Sequence, residues 1–201
     1  MPCRGKEALF FLPYLTPEPE FVEALKRAAG RGVLVAIVTN SELSNDLGKV
    51  PWKAGTAHYP GLVAAGVHVL EWQGHAPLLS LEKTEGCTIP DGSWPGATIH
   101  SKVVVVDGLA VLVGSHNMNA RSEVYNSEVM ATIASRELAS AIRKVFEADA
   151  DLDPANRTIP CGERIVQRPP KSRLILPVDA AGLEEEHGRR ARLLQKLRGA
   201  M

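Results

Sequence analysis

The sequence predicts an α/β domain, and three observations carry that expectation. The first forty residues spell strand, helix, strand, the unit of a parallel sheet covered by helices. Short, nearly continuous apolar runs such as Val33–Val38 and Val103–Val106 have the length and content of buried strands. Asp107-Gly108, set between two β-rich runs, is a hairpin turn signature.

Taken in order, Glu7–Leu15 is an apolar run closed by Pro17 and Pro19 and reads as a buried strand entering a loop. From Glu20 to Ala29, Phe21, Val22, Leu25 and Ala28 recur at helical spacing until Gly30 and Gly32 end the helix. Gly32–Thr39 is a second buried strand. The polar loop after it, with Asn40, Ser41, Asn45 and Asp46, lies at a carboxyl strand end, where parallel sheets bind ligands. A helix is expected from about Gly55 to Ala65, then a third strand over Val67–Trp72. Gly74 to Pro95 has little periodicity and reads as a loop of roughly twenty residues, a length that points to function. Ala97–Val106 and Leu109–Gly114 form the hairpin, Ser127–Ala134 a further strand, and Arg136–Ala148 an amphipathic helix. From about Leu152 prolines interrupt the pattern and Arg and Lys outnumber acids, although Glu184–Leu197 can form a charged helix. The expected division is a domain over 1–151 and a Pro- and Arg-rich C-terminal tail over 152–201.

A chain of 201 residues with 45% hydrophobic and 23% charged residues buries a real core, which excludes a disordered or fibrous protein. Lys+Arg and Asp+Glu are both 23, so no whole-protein charge argues for a polyanionic partner. Cys3, Cys87 and Cys161 are odd in number, scattered and without a CxxC pair, and read as reduced thiols. No apolar run approaches the ~20 residues of a membrane span, and Met1–Glu7 has no apolar core of signal-peptide type. A cytoplasmic or peripheral-membrane protein is expected.

Side chains alternate along a strand, so Thr98, His100, Lys102, Val104 and Val106 share one face. If Asp107-Gly108 is the whole turn, Lys102 stands opposite Val113, His100 opposite Ser115, and Asn117 falls beside Thr98. That register gathers His100, Lys102, Ser115 and Asn117 on one patch. An imidazole is a nucleophile or proton carrier near neutral pH, an ammonium suits phosphate oxygens, and Ser and Asn add neutral donors. The set fits attack on a phosphodiester without a metal or other cofactor; the competing reading is an exposed strand face with two solvated polar residues. Glu128, on the next strand, is the candidate carboxylate for the second ring nitrogen of His100. Asp107 points away from His100 on strand parity and opens the turn, so a structural role competes with a chemical one.

His100-Ser101-Lys102, four residues, Asp107, then six residues and Gly114-Ser115-His116-Asn117 resemble the HKD signature of the phospholipase D superfamily, HxKxxxxD followed by GSxN. Asn119, Arg121, Ser122 and Asn126-Ser127-Glu128 are similar to the downstream stretch of its bacterial cardiolipin synthase branch. Upstream, Phe11-Leu12-Pro13-Tyr14, Thr39-Asn40-Ser41, Ser44-Asn45-Asp46 and Gly66-Val67 leading to Glu71 resemble that branch's second half. The resemblance implies a phospholipase D-like domain, a mixed, largely parallel β-sheet flanked by helices. It further implies a phosphatidyltransferase or phosphodiesterase that acts on phospholipid through a phosphohistidine. His100 would be nucleophile or acid, Lys102 and Asn117 phosphate ligands, Ser115 a supporting hydrogen bond and Glu128 the partner of the His100 ring, with Asp107 completing the motif.

The cardiolipin synthases carry two such motifs and this sequence one. A second HKD half is therefore expected, from a homodimer or a companion chain. The alternatives are a single-motif nuclease acting as a homodimer, and a catalytically incomplete half-domain. Nucleic acid is disfavoured by the neutral charge; the basic tail reads first as a solvated charged helix, with peripheral contact to an anionic membrane or nucleic acid the competing reading. His116, at the variable position of GSxN, is a minor candidate for substrate contact. His58 and His68 read as packing or surface residues. Ser41, Asn45 and Asp46 are either caps of the following helix or headgroup contacts. Trp52 and Trp72 read as anchors, and Trp94 as a loop residue preceding His100.

Overall fold

In the computed structural model the described residues are 6–74, 98–152, 158–161, 164–167, 171–175 and 183–199. The expected loop after Gly74, Trp94, Cys3 and Cys87 lie outside them, as does most of the Met1–Glu7 start. β1 (Glu7–Phe11), β2 (Leu34–Asn40) and β3 (His68–Trp72) lie side by side and parallel. β4 (Val103–Val106) pairs antiparallel with the other edge of β1, followed by β5 (Ala110–Gly114) and β6 (Met130–Ala134), again antiparallel. β7 (Thr158–Cys161) and β8 (Arg164–Gln167) make a separate hairpin. β9 (Ser172–Leu174) then closes the far edge against β3, giving a seven-stranded sheet in the order β6-β5-β4-β1-β2-β3-β9. The sheet is mixed, but only the β1–β2 and β2–β3 pairings are parallel, a smaller share than expected. Parallel neighbours need a crossover, which helices supply from β1 to β2 and from β2 to β3; a tight turn such as that between β4 and β5 can only reverse the chain.

The crossovers are helical. α1 (Pro19–Gly30) starts with Pro at a first-turn position, where a missing N–H costs nothing, and buries Val22 and Leu25. The single helix expected near 55–65 is two helices, α2 (Lys49–Thr56) and α3 (Tyr59–Ala64), the second with Pro60 in its first turn. Gly55 has a packing reason: a Cβ there would stand 2.5 Å from the Leu15 carbonyl oxygen. α4 (Arg136–Ala150) is capped by the Ser135 side chain, which accepts from the Leu138 N–H, and ends at Asp151 in the left-handed region. α5 (Leu183–Gly199) is the last helix.

Strand alternation sorts the core into two layers. Leu9, Phe11, Ala36, Val38, Val105 and Val111 face α4 and α5, where Phe146, Leu193 and Leu197 are fully buried. Phe10, Leu12, Val35, Ile37 and Val69 face α1 and α3. Phe11 and Phe146 meet edge to face at 5.4 Å. Two parts of the basic tail join this structure: β9 extends the sheet, and in α5 buried Arg190 donates to the Ser172 carbonyl at 2.6 Å and the Asp151 carbonyl at 3.4 Å.

The hairpin differs from expectation by one residue. Val106 pairs with Ala110, so the turn holds Asp107, Gly108 and Leu109. Asp107 and Gly108 both have positive φ, 54° and 62°. Lys102 consequently stands beside Gly114, whose N–H donates to its carbonyl at 3.2 Å, and not beside Val113. Residues 98–102 have also left the strand conformation expected for them.

Candidate functional site

Because residues 98–102 are outside the ladder, another group must satisfy their backbone. Asn40, buried at the end of β2, does so. Its Oδ1 accepts from the Ile99 N–H at 2.9 Å, and its Nδ2 donates to the Ile99 carbonyl at 2.8 Å and the Pro13 carbonyl at 3.1 Å. Ser44 supports the arrangement by donating to the Trp72 carbonyl at 2.6 Å, its Oγ lying 3.2 Å from Asn40 Oδ1. One carboxamide thus ties the exits of β1 and β2 to the residue before His100.

His100 is exposed and Lys102 is buried. Lys102 Nζ donates to the His100 carbonyl at 2.8 Å and lies 3.2 Å from both ring nitrogens. An ammonium equally far from both nitrogens cannot sit in the ring plane without striking Cε1, so it lies over the imidazole face. The Tyr14 ring stands edge-on to His100 at 6.3 Å, and the Tyr14 hydroxyl donates to Asp46 Oδ1 at 2.6 Å. Burial and that carboxylate push the Tyr14 pKa up to about 12, so the phenol keeps its proton. Burial also pulls the Lys102 pKa below its ordinary value, against the opposing pull of Asp46 and Glu128. Both carboxylates are therefore in electrostatic reach of the ammonium. A partly desolvated cation of this kind binds an incoming phosphate oxygen more strongly than a hydrated one does.

The segment after β5 supplies the second part of the site. Ser115 Oγ donates to the Glu128 carboxylate and accepts from the Val129 N–H at 3.0 Å. Asn126 Nδ2 donates to Glu128 Oε1 at 3.1 Å. Hydrogen bonds from Ser115, Ser122 and Asn126 hold the Glu128 pKa down at about 2, so it is a carboxylate throughout the neutral range. The expected hydrogen bond from the His100 ring to Glu128 is not among those of the described residues; the one-residue change of register turns Ser115 toward Glu128, and Ser115 donates to that carboxylate. The Asn117 N–H donates to Ser122 Oγ at 3.1 Å, while its side-chain Oδ1 is buried without a partner among the described residues. His116 Nδ1 accepts from the Met118 N–H at 2.9 Å within its own loop. A π-helical turn, Arg121–Tyr125, completes the segment and leaves Val124, Tyr125 and Val129 exposed around Glu128. Gly114 allows the close crossing here: a Cβ would lie 2.0 Å from the Val129 carbonyl oxygen.

Asp107 is not part of this group. It stands at the opposite end of β4, where its Oδ1 accepts from the backbone N–H groups of Lys6 at 2.6 Å and Glu7 at 3.1 Å. Beside it, Arg143 Nη1 donates to both carboxylate oxygens of buried Glu7 at 2.7 and 2.8 Å, and its Nε donates to Glu147 Oε1 at 3.1 Å. The catalytic role expected for Asp107 gives way to a structural one, because all of β4 separates it from Lys102. Neither Ser41, Asn45 nor Asp46 caps α2, whose N-cap is Gly48 with no side-chain bond. Trp52 is an anchor, donating to buried Glu71 at 2.6 Å. The sequence shows Tyr14 only as a member of a motif segment and Asn40 only as part of a polar strand-end loop, and neither with these partners. Their partners lie far away in sequence, and no local pattern reveals such pairs.

Residues 4–150 match the family model described as "Cardiolipin synthase, PLD-like domain". Cardiolipin synthase C of Escherichia coli (strain K12) is 35% identical over 134 residues, 66% of this chain and 27% of that protein. Cardiolipin synthase A of Erwinia tasmaniensis is 29% identical over 142 residues, 71% of this chain and 24% of its own length. The chain thus spans about a quarter of the curated relatives it matches. Among solved structures, phosphatidylserine synthase of Haemophilus influenzae Rd KW20 superposes with a TM-score of 0.56 at 15% identity, over 96% of this chain and 39% of that one. NUC of Salmonella typhimurium, a phospholipase D family member, gives 0.51 at 22% identity, over 71% and 76%. At these identities the superpositions speak to the fold.

Proposed function

The chain belongs to the family of cardiolipin synthase, phospholipase D-like domains, and on that premise we propose that it is one half of a phosphatidyltransferase or phosphodiesterase acting on phospholipid diesters. The observation that carries this reading is the pairing of an exposed imidazole with a buried ammonium over its face. In the proposed reaction a His100 ring nitrogen attacks phosphorus, forming a P–N bond as the P–O bond to the leaving alcohol breaks. Lys102 and the Asn117 carboxamide hold the non-bridging oxygens. An acceptor alcohol or water then attacks phosphorus and breaks the P–N bond, returning the imidazole.

The departing alkoxide needs a proton, and an imidazole bonded to phosphorus cannot readily supply it. A second half, another copy or a companion chain, provides that acid. The apolar side chains of Val124, Tyr125 and Val129 beside Glu128 are a surface such a half would cover. No described helix is long and apolar enough to cross a membrane, so access to lipid on this reading is from the surface.

The test is to incubate the chain, alone and with a candidate second half, with phosphatidylglycerol labelled at phosphorus. An acid-labile, base-stable phosphoprotein that His100→Ala abolishes is the expected result, and activity should persist in a chelator because Lys102 already supplies positive charge. Labelling retained in His100→Ala removes the covalent step. Turnover by a strict monomer, proportional to its concentration, removes the second half. Hydrolysis of a DNA diester with none of phosphatidylglycerol redirects the reading to a nuclease.

A further inference from the structure

We propose that the end of the sheet opposite His100 carries a second, separate binding site for a phosphate group, built from Lys6, His68, Arg192 and Lys196. Two adjoining cavities meet there. The larger, about 580 Å³, is lined in part by Lys6, Gly66, His68 and Lys196; the smaller, about 220 Å³, by His68, Arg189, Arg192 and Lys196. No Asp or Glu is among the described lining residues of either. In a chain whose charges cancel overall, an acid-free cluster of this size is a local excess of positive charge.

The second, independent observation is a stranded polar atom. His68 lines both cavities, and its Nε2 is buried with no hydrogen-bond partner among the described residues. A buried polar atom without a partner is costly, and a small turn of the ring toward the cavity would let a ligand oxygen accept from an Nε2–H and remove that cost. Burial, with Lys196 and Arg189 adding to it, pushes the His68 pKa down to about 4. The ring is thus neutral at pH 7 and sits in a positive field that an anion would relieve. Arg192 and Lys196 are exposed and make no ion pair among the described residues, leaving their charge available.

The walls decide the ligand class. Ala29, Val33 and Leu34 give the larger cavity an apolar side, and its volume exceeds that of a bare phosphate. It suits a phosphate carrying an organic body, either a soluble phosphate ester or the headgroup of an anionic phospholipid. Leu34 and His68 begin β2 and β3, and Lys6 precedes β1, whereas Asn40 ends β2 beside His100. A strand of that length separates the two sites by about 20 Å, so this site shares no residue with the catalytic group and stands whether or not the proposed reaction does.

The experiment follows the His68 ring by NMR in the ¹⁵N-histidine-labelled chain at pH 7. It titrates first inorganic phosphate, then glycerol 3-phosphate, and in a parallel arm measures flotation with phosphatidylcholine vesicles with and without phosphatidic acid. Saturable His68 shifts are expected, weakened about tenfold or more by R192A/K196A. K53A/K144A, which removes the same charge elsewhere, should leave them unchanged. All four side chains are exposed, so the fold survives these changes. Saturation by the soluble phosphates identifies a free ligand. Flotation that needs phosphatidic acid and Arg192 and Lys196, without saturable shifts, identifies a headgroup. Equal loss in both double variants reduces the effect to general charge and overturns the site, as does absence of any response in both arms.

Discussion

The two ends of β4 hold the same kinds of residue to different ends. At the turn, Asp107, Glu7 and Arg143 are tied down: the Asp107 carboxylate accepts two backbone N–H groups, and Nη1 of the buried guanidinium reaches both Glu7 oxygens, although Nη2 has no partner among the described residues. At the other end His100 is exposed, Asn117 Oδ1 has no partner among the described residues, and Lys102 donates to a carbonyl while resting on an imidazole. The segment His100–Asp107 therefore joins a reactive end to an anchoring end, one short strand apart. Its spacing reports the length of β4 as much as it reports chemistry.

Substitutions at the two ends should separate in what they damage. The largest effect is expected for Lys102→Ala, with turnover of the assembled enzyme falling on the order of a thousandfold while the thermal midpoint holds. A collapse of the midpoint instead would make Lys102 an anchor like Arg143. Arg143→Ala should do the reverse, removing about 3–5 kcal/mol of stability in urea by stranding the Glu7 carboxylate. Glu7→Gln combined with Arg143→Met should recover much of that, since the pair is then replaced by neutral groups. Asn40→Ala lies between the two classes: about 2 kcal/mol of stability for its buried bonds, and turnover down about a hundredfold because His100 loses its clasp. Unchanged turnover at a temperature where the variant is folded would reduce Asn40 to scaffolding. The smallest change is expected for Asp107→Ala, about 1 kcal/mol in urea with turnover within about twofold, and Asp107→Asn should retain the accepting oxygen and hence the stability.

Apolar runs made the buried strands legible, because a strand covered on both faces cannot hide its composition. Val33–Val38, apart from its first residue, and Val103–Val106 fall inside β2 and β4 for that reason. The turn was legible at Asp107-Gly108 but not in its length. Leu109 is apolar and reads as strand, yet it sits in the turn and is 41% exposed. That single residue moved Ser115 away from His100 and toward Glu128. Ser172–Leu174 was hidden by its length and by the prolines before it; it is a strand only because β3 offers an open edge. The pairing of Asn40 with Ile99 spans 59 residues, beyond any periodicity that a sequence window can display.

Gly114 changes how a screen of random substitutions in this chain should be interpreted. Any side chain at that position meets the Val129 carbonyl and the Met130 backbone, so β6 must retreat and take Glu128 and Ser115 with it. Alleles at Gly114 would score as null beside those at His100, although no atom of the glycine need touch a phosphate. Intolerance to replacement at this locus measures clearance between two crossing backbones, and only a folding assay run on the same alleles distinguishes it from a defect in chemistry.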